Sequence, residues 1–268
     1  MPELPEVEVT RLSFADRIAG AQVASVRLGK PLRWALGCDP AELVGRQVQA
    51  VRRRGKYLLL DLDAGLLLLH LGMSGSLAFR HDLPPPGKHD HFDLITTRGT
   101  LRLHDPRRFG AVLWFAGAPE HHPLLAALGP EPLSPQFNAD YLYEKLRKQK
   151  RAAKLALMDN AVVVGVGNIY ANETLFRCKL LPTTVARDVT LEQCQALVNE
   201  IKAVLTLAIA AGGSTLRDFV NSDGKSGYFQ QQYFVYGRDG EACHECGEPI
   251  AKAVIGQRSS FYCPHCQH

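Results

Sequence analysis

The amino-acid sequence predicts an α+β protein: an N-terminal antiparallel β-sandwich domain with an N-terminal helix, then an α-helical domain that carries a C-terminal β-hairpin. Three observations predict this order. Residues 20–116 contain short apolar runs separated by turn residues, residues 139–211 show helical spacing, and four cysteines lie after residue 240. Strands that precede helices, rather than alternating with them, are typical of α+β folds.

The spacing of apolar side chains indicates the first helix and the strands of the β domain, for which a sandwich or a flattened barrel is possible. From Leu4 to Ile18 apolar residues recur at helical spacing, and Gly20 closes the helix. Apolar runs joined by Asp-Ala-Gly or Arg-Gly turns then predict two hairpins, and a further strand follows them. The predicted strands are Tyr57–Asp63, Leu66–Leu71, Phe92–Thr97, Thr100–His104 and Ala111–Phe115.

Five prolines between residues 117 and 138 mark a predicted boundary between the β and helical parts. Thr190 and Gln193 form a capping box that starts the last helix, and aromatic-rich strands are expected from Tyr228 onward. The predicted helices cover residues 139–158, 168–178 and 190–211. The expected domains are residues 1–130, 131–227 and 234–268.

Composition indicates a chain that folds around a core, and its two basic runs are either solvated faces or, taken with the C-terminal cysteine motif, a sign of polyanion binding. Hydrophobic residues make up 46% of the 268 residues, which argues against global disorder. The net charge of +4 is modest, but basic residues are concentrated in two runs, Arg52–Lys56 and Lys145–Lys154. The longest apolar stretch, Ala203–Ala211, is too short to span a bilayer, and the first residues lack the positive region of a signal peptide. A cytoplasmic protein with no membrane partner is therefore expected.

Cys243, Cys246, Cys263 and Cys266 form two Cys-x-x-Cys pairs separated by sixteen residues. Four thiolates presented in this way complete a closed tetrahedral site for one structural Zn²⁺, so a zinc-bound β-hairpin is expected. A module of about 30 residues buries too little apolar surface to fold alone, and the metal would supply folding energy. Arg258 is expected beside the turn of the hairpin. The odd total of seven cysteines argues against a disulfide framework.

A second group of metal-ligating side chains lies between the predicted β strands. His81, His89, His91, Asp90 and Asp93 are close in sequence and are candidates for a metal cluster. A proline-rich stretch precedes most of them. We therefore interpret this region as an exposed loop.

A series of short motifs runs in order along the whole chain. They are Pro2–Glu8, Gly55–Tyr57, His70–Gly75, Lys88–His91, Asp105–Gly110, Met158–Asn160, Gly165–Ala171, Ser222–Lys225 and the cysteine hairpin with Gln257 and Arg258. In this series the chain resembles the formamidopyrimidine-DNA glycosylase family, whose bacterial members repair 8-oxoguanine. Leu4 favours this family over its sister, endonuclease VIII, which usually has glycine at that position.

The resemblance implies a catalytic set for a bifunctional glycosylase and abasic-site lyase. Pro2 would be the nucleophile once Met1 is removed, because a terminal α-amine titrates near 7.7–8.0 and is partly neutral at physiological pH. Glu3 would move protons as general acid and base. Lys56 and Arg258 would hold phosphates and assist the β and δ eliminations.

The resemblance also implies the contacts with double-stranded DNA that contains oxidised bases or abasic sites. Met73, Arg107 and Phe109 would fill the space left by the displaced base. Asn168 would bind phosphate from a helix-two-turns-helix element. A lesion-recognition loop is expected at about 215–227. Further phosphate-contact candidates are His89 and Arg151, and a monomer is expected.

Three alternatives stay open on the sequence. An endonuclease VIII-like enzyme would act on oxidised pyrimidines, and a non-catalytic DNA-binding zinc protein would form no covalent adduct with DNA. An RNA-binding zinc module would prefer RNA to a lesion duplex.

Overall fold

The computed structural model describes residues 2–214 and 233–268. These residues form two structural units: residues 2–127 with 211–214, and residues 128–210 with 233–268. In the part of the chain so described, no helix combines the length and the apolar character needed to cross a membrane.

The first unit is an antiparallel β-sandwich preceded by a helix, as predicted. One sheet has the strand order β1-β6-β7-β5 and the other β2-β3-β4-β8. Each pairs antiparallel neighbours throughout. The elements are α1 (Leu4–Ile18), β1 (Val23–Leu28), β2 (Val48–Arg54), β3 (Tyr57–Leu62), β4 (Leu66–His70), β5 (Ser76–Arg80), β6 (Asp90–Thr96), β7 (Gly99–His104), β8 (Ala111–Phe115) and the short α2 (Pro123–Ala126).

The core of this unit lies between the two sheets and under α1. Alternate residues of β3 (Leu58 and Leu60) and of β7 (Leu101 and Leu103) are fully buried there, because successive side chains of a strand point to opposite faces. Phe14 of α1 packs into the same cluster. The apolar runs that predicted the strands are therefore largely the residues that the sandwich buries.

The region around His81–Asp93 was interpreted as an exposed loop, but its last residues are a buried part of β6. His91 and Asp93 lie in β6 and are each 3% exposed. Asp93 accepts hydrogen bonds from Arg102 Nε at 2.8 Å and from Arg27 Nε at 2.8 Å. Burial acts to raise the pKa of Asp93, but the two guanidinium groups outweigh it and lower the pKa. Asp93 thus belongs to an ion-pair network of the sheet.

The second unit is helical and ends in the cysteine hairpin. Thr190 and Gln193 form the predicted capping box, with each side chain bonded to the other residue's backbone N–H. α6 packs against α3 and α5. The elements are α3 (Ala139–Leu146), α4 (Ala153–Leu157), α5 (Asn168–Arg177), α6 (Leu191–Ala210), β9 (Ala251–Ile255) and β10 (Arg258–Tyr262).

The prediction of one helix over 139–158 is wrong, because the chain breaks it into α3 and α4. Ala152 forms an antiparallel bridge with Val185, and Ala153 donates its N–H to the carbonyl of Thr184 at 2.7 Å. These bonds hold the backbone extended where helical spacing alone predicts continuation. Tertiary pairing has therefore overridden local propensity.

The strands expected before the cysteines are also absent from the described residues 233–242. Backbone N–H groups of Phe234, Val235 and Tyr236 instead donate to the carboxylate of Glu173, at 2.9, 3.1 and 2.8 Å. Glu173 is 1% exposed. Burial raises its pKa, with the three N–H bonds acting in the opposite direction. This carboxylate therefore replaces a strand partner for the segment.

Glu173→Ala should lower the free energy of unfolding by about 3 kcal/mol or more, because three buried N–H donors lose their acceptor. Urea unfolding measures the change. Glu192→Ala, at an exposed position on α6, is the control and should cost about 1 kcal/mol or less. Equal losses in the two variants would contradict the role of Glu173.

Candidate active site

The residues at the start of α1 are buried and held by a carboxylate. Pro2 is buried, and Glu3 is 3% exposed. Glu6 is fully buried and accepts the backbone N–H of Glu3 at 2.8 Å. It also accepts the backbone N–H and the hydroxyl of Ser214, both at 2.9 Å. Glu6 therefore fixes both the start of α1 and the residue that precedes the expected lesion-recognition loop.

Lys56 lies in the turn between β2 and β3 and is 9% exposed. The imidazole of His70 is close to it: burial lowers the pKa of His70 to about 4, and the charges of Lys56 and Arg33 lower it as well. His70 is therefore neutral near pH 7. Because its Nδ1 accepts the N–H of Gly72 at 3.1 Å, the proton lies on Nε2, which is left as a donor.

Asp105 joins two turns of the first unit. It is fully buried, and its Oδ1 accepts the hydroxyl of Ser74 at 2.9 Å and the backbone N–H of Arg107 at 3.2 Å. Its Oδ2 accepts the N–H of Gly110 at 2.7 Å. One carboxylate thus holds residues 72–75 against residues 105–110.

Three predicted DNA-contact residues lie on these two turns. Phe109 is 45% exposed, and the guanidinium of Arg107 lies 4.9 Å from its ring centroid. Met73 is half-buried on the other turn. Gly72 has φ of 64°, and a Cβ there would lie 2.5 Å from the Phe109 carbonyl carbon, so only glycine allows the turns to approach this closely.

His89 borders the same turns. Its carbonyl accepts the N–H of Asp105 at 2.8 Å, and its ring centroid lies 5.8 Å from that of His104. The ring is half-buried. The first unit therefore brings His89 together with Met73, Arg107 and Phe109.

The cysteine hairpin is fastened to the helices of the second unit at Ser259. Asn168, the first residue of α5, donates its Nδ2 to the carbonyl of Ser259 at 2.9 Å. Lys154 Nζ donates to the same carbonyl at 3.1 Å and to the hydroxyl of Ser260 at 2.6 Å. Lys154 is fully buried, so this member of the basic run Lys145–Lys154 does not lie on the surface.

Arg258 is exposed at the start of β10, next to Ser259. The turn before it, Gly256 and Gln257, has φ of 57° and 62°, which is typical of a two-residue hairpin turn. A Cβ at Gly256 would lie 2.5 Å from a methyl carbon of Leu155, so the turn packs against α4. The position of the Arg258 backbone is thereby set by the helical part of the unit.

Arg151 lies between α3 and α4 and forms an ion pair with Asp159 at 2.5 Å. Burial acts to raise the pKa of Asp159, but the N–H of Ala161 and the Arg151 guanidinium outweigh it and lower the pKa. The side chain of Arg151 is 38% exposed. Its remaining N–H groups can reach solvent or a phosphate.

The four cysteine sulfurs fit the predicted metal. They lie within 4.8 Å of one another, and among the described residues they are the group placed to hold an ion. Four thiolates on a tetrahedral Zn²⁺, with Zn–S bonds of about 2.3 Å, are separated by about 3.8 Å. The protein therefore has one structural zinc site, formed by Cys243, Cys246, Cys263 and Cys266.

The expected lesion-recognition loop at about 215–227 lies outside the described residues.

Comparison with known proteins decides the family. Residues 1–112 match the formamidopyrimidine-DNA glycosylase N-terminal domain, residues 128–220 match the H2TH domain of formamidopyrimidine-DNA glycosylase, and residues 240–268 match the zinc finger found in FPG and IleRS. The chain belongs to the formamidopyrimidine-DNA glycosylase family. The resemblance inferred from the motifs is confirmed.

Individual members of the family are similar over their full length. The formamidopyrimidine-DNA glycosylase of Albidiferax ferrireducens is 59% identical over all of this chain and 99% of its own. The crystal structure of MutM (Fpg) from Thermus thermophilus is 40% identical, with a TM-score of 0.90 over 99% of this chain and 98% of that one. An Fpg variant of Lactococcus lactis, solved with DNA containing Fapy-dG, is 33% identical with a TM-score of 0.92 over all of both chains.

Several residues that fix the local structure around the predicted site residues were missed by sequence reasoning. Glu6, His70 and Asp105 stand inside the motifs that carry the resemblance. Their roles depend on the hydrogen bonds from Ser214 to Glu6, on the charge of Lys56 near His70 and on the two turns that Asp105 joins. Lys154 carries a signal that could have found it: it lies among apolar residues in Ala153–Leu157. A lysine in such a run is buried only when it is bonded.

Asp105→Asn should lower the free energy of unfolding by about 1–3 kcal/mol and loosen residues 72–75 and 107–110, because one buried N–H loses its acceptor. Chemical denaturation and amide hydrogen exchange measure the two effects. Asp63→Asn is the control, since that side chain is 46% exposed. Unchanged exchange in both turns would refute the role of Asp105.

Cys246→Ser should reduce the zinc content well below one ion per chain, because a neutral hydroxyl is a poor ligand for this site. Elemental analysis of the purified protein measures it. Cys38→Ser, in the first unit, should keep one zinc. Full zinc content in Cys246→Ser would exclude this cysteine as a ligand.

Proposed function

We propose that this protein is a base excision repair enzyme that removes oxidised purines, 8-oxoguanine and formamidopyrimidines, from duplex DNA and then cleaves the abasic site. The observation that carries the proposal is family membership across the whole chain. The Lactococcus lactis relative was solved on DNA containing Fapy-dG, which is a substrate of this class.

The nucleophile is the secondary amine of Pro2 after removal of Met1. Its nitrogen lone pair attacks C1′ of the damaged nucleotide, the base leaves, and loss of the ring oxygen bond gives a Schiff base. Glu3 moves protons during ring opening and base departure. The contact between Glu6 and the N–H of Glu3 supports this assignment, because it fixes the direction in which α1 begins.

Four residues supply positive charges or N–H donors to the phosphates that flank the lesion. Lys56 and Arg258 supply the charges and assist the β and δ eliminations. His70 adds an Nε2–H donor, because it stays neutral beside Lys56. The Nδ2 of Asn168 already donates one N–H to Ser259, so phosphate binding falls to its second N–H and to the N-terminal amides of α5.

The displaced base leaves a space that Met73 and Phe109 enter while Arg107 bonds the unpaired cytosine opposite. The stacking of Arg107 on Phe109 supports their joint action. His89 and Arg151 contact further phosphates, and residues 215–227 cover the extrahelical base.

The functional division of the chain follows from these roles: a catalytic domain at 1–130, a helix-two-turns-helix domain at 131–227 and a zinc finger at 234–268. The enzyme acts as a monomer. Its location is the cytoplasm, in association with the nucleoid, because its substrate is chromosomal DNA.

Borohydride reduction should trap a covalent adduct between the mature protein and a duplex containing 8-oxoguanine opposite cytosine. The Schiff base at Pro2 is the species reduced. Pro2→Gly should lose most of the adduct, whereas Pro85→Gly, in an exposed stretch, should keep it. Gel electrophoresis and mass spectrometry of the modified peptide measure both.

The same assay separates the alternatives. A faster reaction on thymine-glycol duplexes would favour an endonuclease VIII-like enzyme, and binding without any adduct would favour a non-catalytic zinc protein. Full cleavage activity by protein that retains Met1 would overturn the assignment of Pro2.

A further inference from the structure

The first unit contains a cavity of about 280 Å³ that the proposed reaction does not use. It lies under the segment that follows β1, residues 28–36. Its walls are largely apolar and include Leu32, Trp34, Phe92 and Val112. A space of this size fits a bicyclic aromatic molecule.

Backbone hydrogen bonds fix the segment over the cavity at three points. Gly29 donates to the carbonyl of His91 at 2.8 Å, and Arg33 donates to that of Gly110 at 3.3 Å. Leu36 accepts the N–H of Trp114 at 2.6 Å. The cavity is thus enclosed by bonded backbone on the side of β6 and on the side of β8.

His91 is a buried polar residue in the wall of this cavity. It is 3% exposed and lines the space, and neither of its ring nitrogens makes a hydrogen bond of good geometry among the described residues. Buried polar atoms are nearly always bonded, and a weak bond to one backbone group satisfies only one of the two ring nitrogens, so the other indicates a missing partner.

The protonation state of His91 determines which hydrogen-bonding group a ligand needs. Burial lowers its pKa, and the charge of Arg108 lowers it further. The carboxylate charge of Asp105 and a weak hydrogen bond to the Asp105 backbone act in the opposite direction. A neutral imidazole presents one donor and one acceptor nitrogen. A heteroaromatic ring with an N–H or a ring nitrogen would complement either of them.

Charge at the cavity restricts the ligand further. Lys30 lines it and is exposed, whereas the described residues that line the cavity include no aspartate or glutamate. An acidic substituent at the entrance would therefore be attracted by Lys30 and would not be repelled by a carboxylate of the lining.

We propose that this cavity is a binding site for a small planar heteroaromatic acid, with the ring between Trp34 and Val112, a ring nitrogen on His91 and the carboxylate near Lys30. The site is separate from Pro2 and Lys56. Binding can therefore be tested without DNA, and its failure would leave the proposed function untouched.

The test is a titration of the full-length, ¹⁵N-labelled protein with indole-3-carboxylate. The sequence has two tryptophans, Trp34 and Trp114, so the Trp114→Phe variant assigns the indole N–H signal of Trp34. We expect a saturable shift of that signal with a Kd on the order of 1 mM or below, since the probe has about 12 heavy atoms. Tryptamine, which carries the opposite charge, should bind more weakly.

Two variants distinguish a specific site from weak apolar adsorption. His91→Phe keeps a ring but removes both nitrogens and should weaken binding about tenfold. Lys30→Glu, at an exposed position, should weaken the carboxylate probe while leaving unsubstituted indole unchanged. Lys148→Glu, which lies outside the cavity, is the matched control. A shift that does not saturate, or equal affinities for the parent and both variants, would overturn the proposal.

Discussion

Buried carboxylates that accept backbone N–H groups are the interaction on which the functional segments of this protein depend. Glu6 holds the start of α1 and Ser214, Asp105 holds two turns, and Glu173 holds residues 234–236. A carboxylate has about four acceptor positions, so one side chain can satisfy several N–H groups that belong to no sheet or helix. Irregular backbone is thereby fixed without additional secondary structure.

In the second unit a different arrangement positions the hairpin. Lys154 and Asn168 both donate to the carbonyl of Ser259, one residue from Arg258. The desolvation of a fully buried ammonium group costs several kcal/mol and is offset only by good hydrogen bonds. An apolar residue at position 154 would fill the same volume without this desolvation free energy. The lysine therefore serves to position Ser259 and the hairpin.

The sequence was sufficient for the fold class, because apolar periodicity reports directly on which faces are buried. It was also sufficient for the zinc site, since two Cys-x-x-Cys pairs are local in the chain. It failed where long-range contacts decide the outcome: Val185 breaks the helix predicted over 139–158, and Ser259 and Ser260 accept from Lys154. Glu6 and Asp105 look like surface acids until the turns around them are placed.

Two of the interactions that hold the hairpin differ in chemistry and lie at opposite ends of it. One is the group of thiolates, of which Cys246 is exposed while Cys243 and Cys263 are buried. The other is the set of hydrogen bonds at Ser259, which contains no oxidisable atom. A peroxide that reaches the exposed sulfur would release the metal and loosen the far end of the hairpin first. Oxidative inactivation of this protein should therefore begin at its zinc-binding thiolates, and the position of Arg258 should be disturbed last.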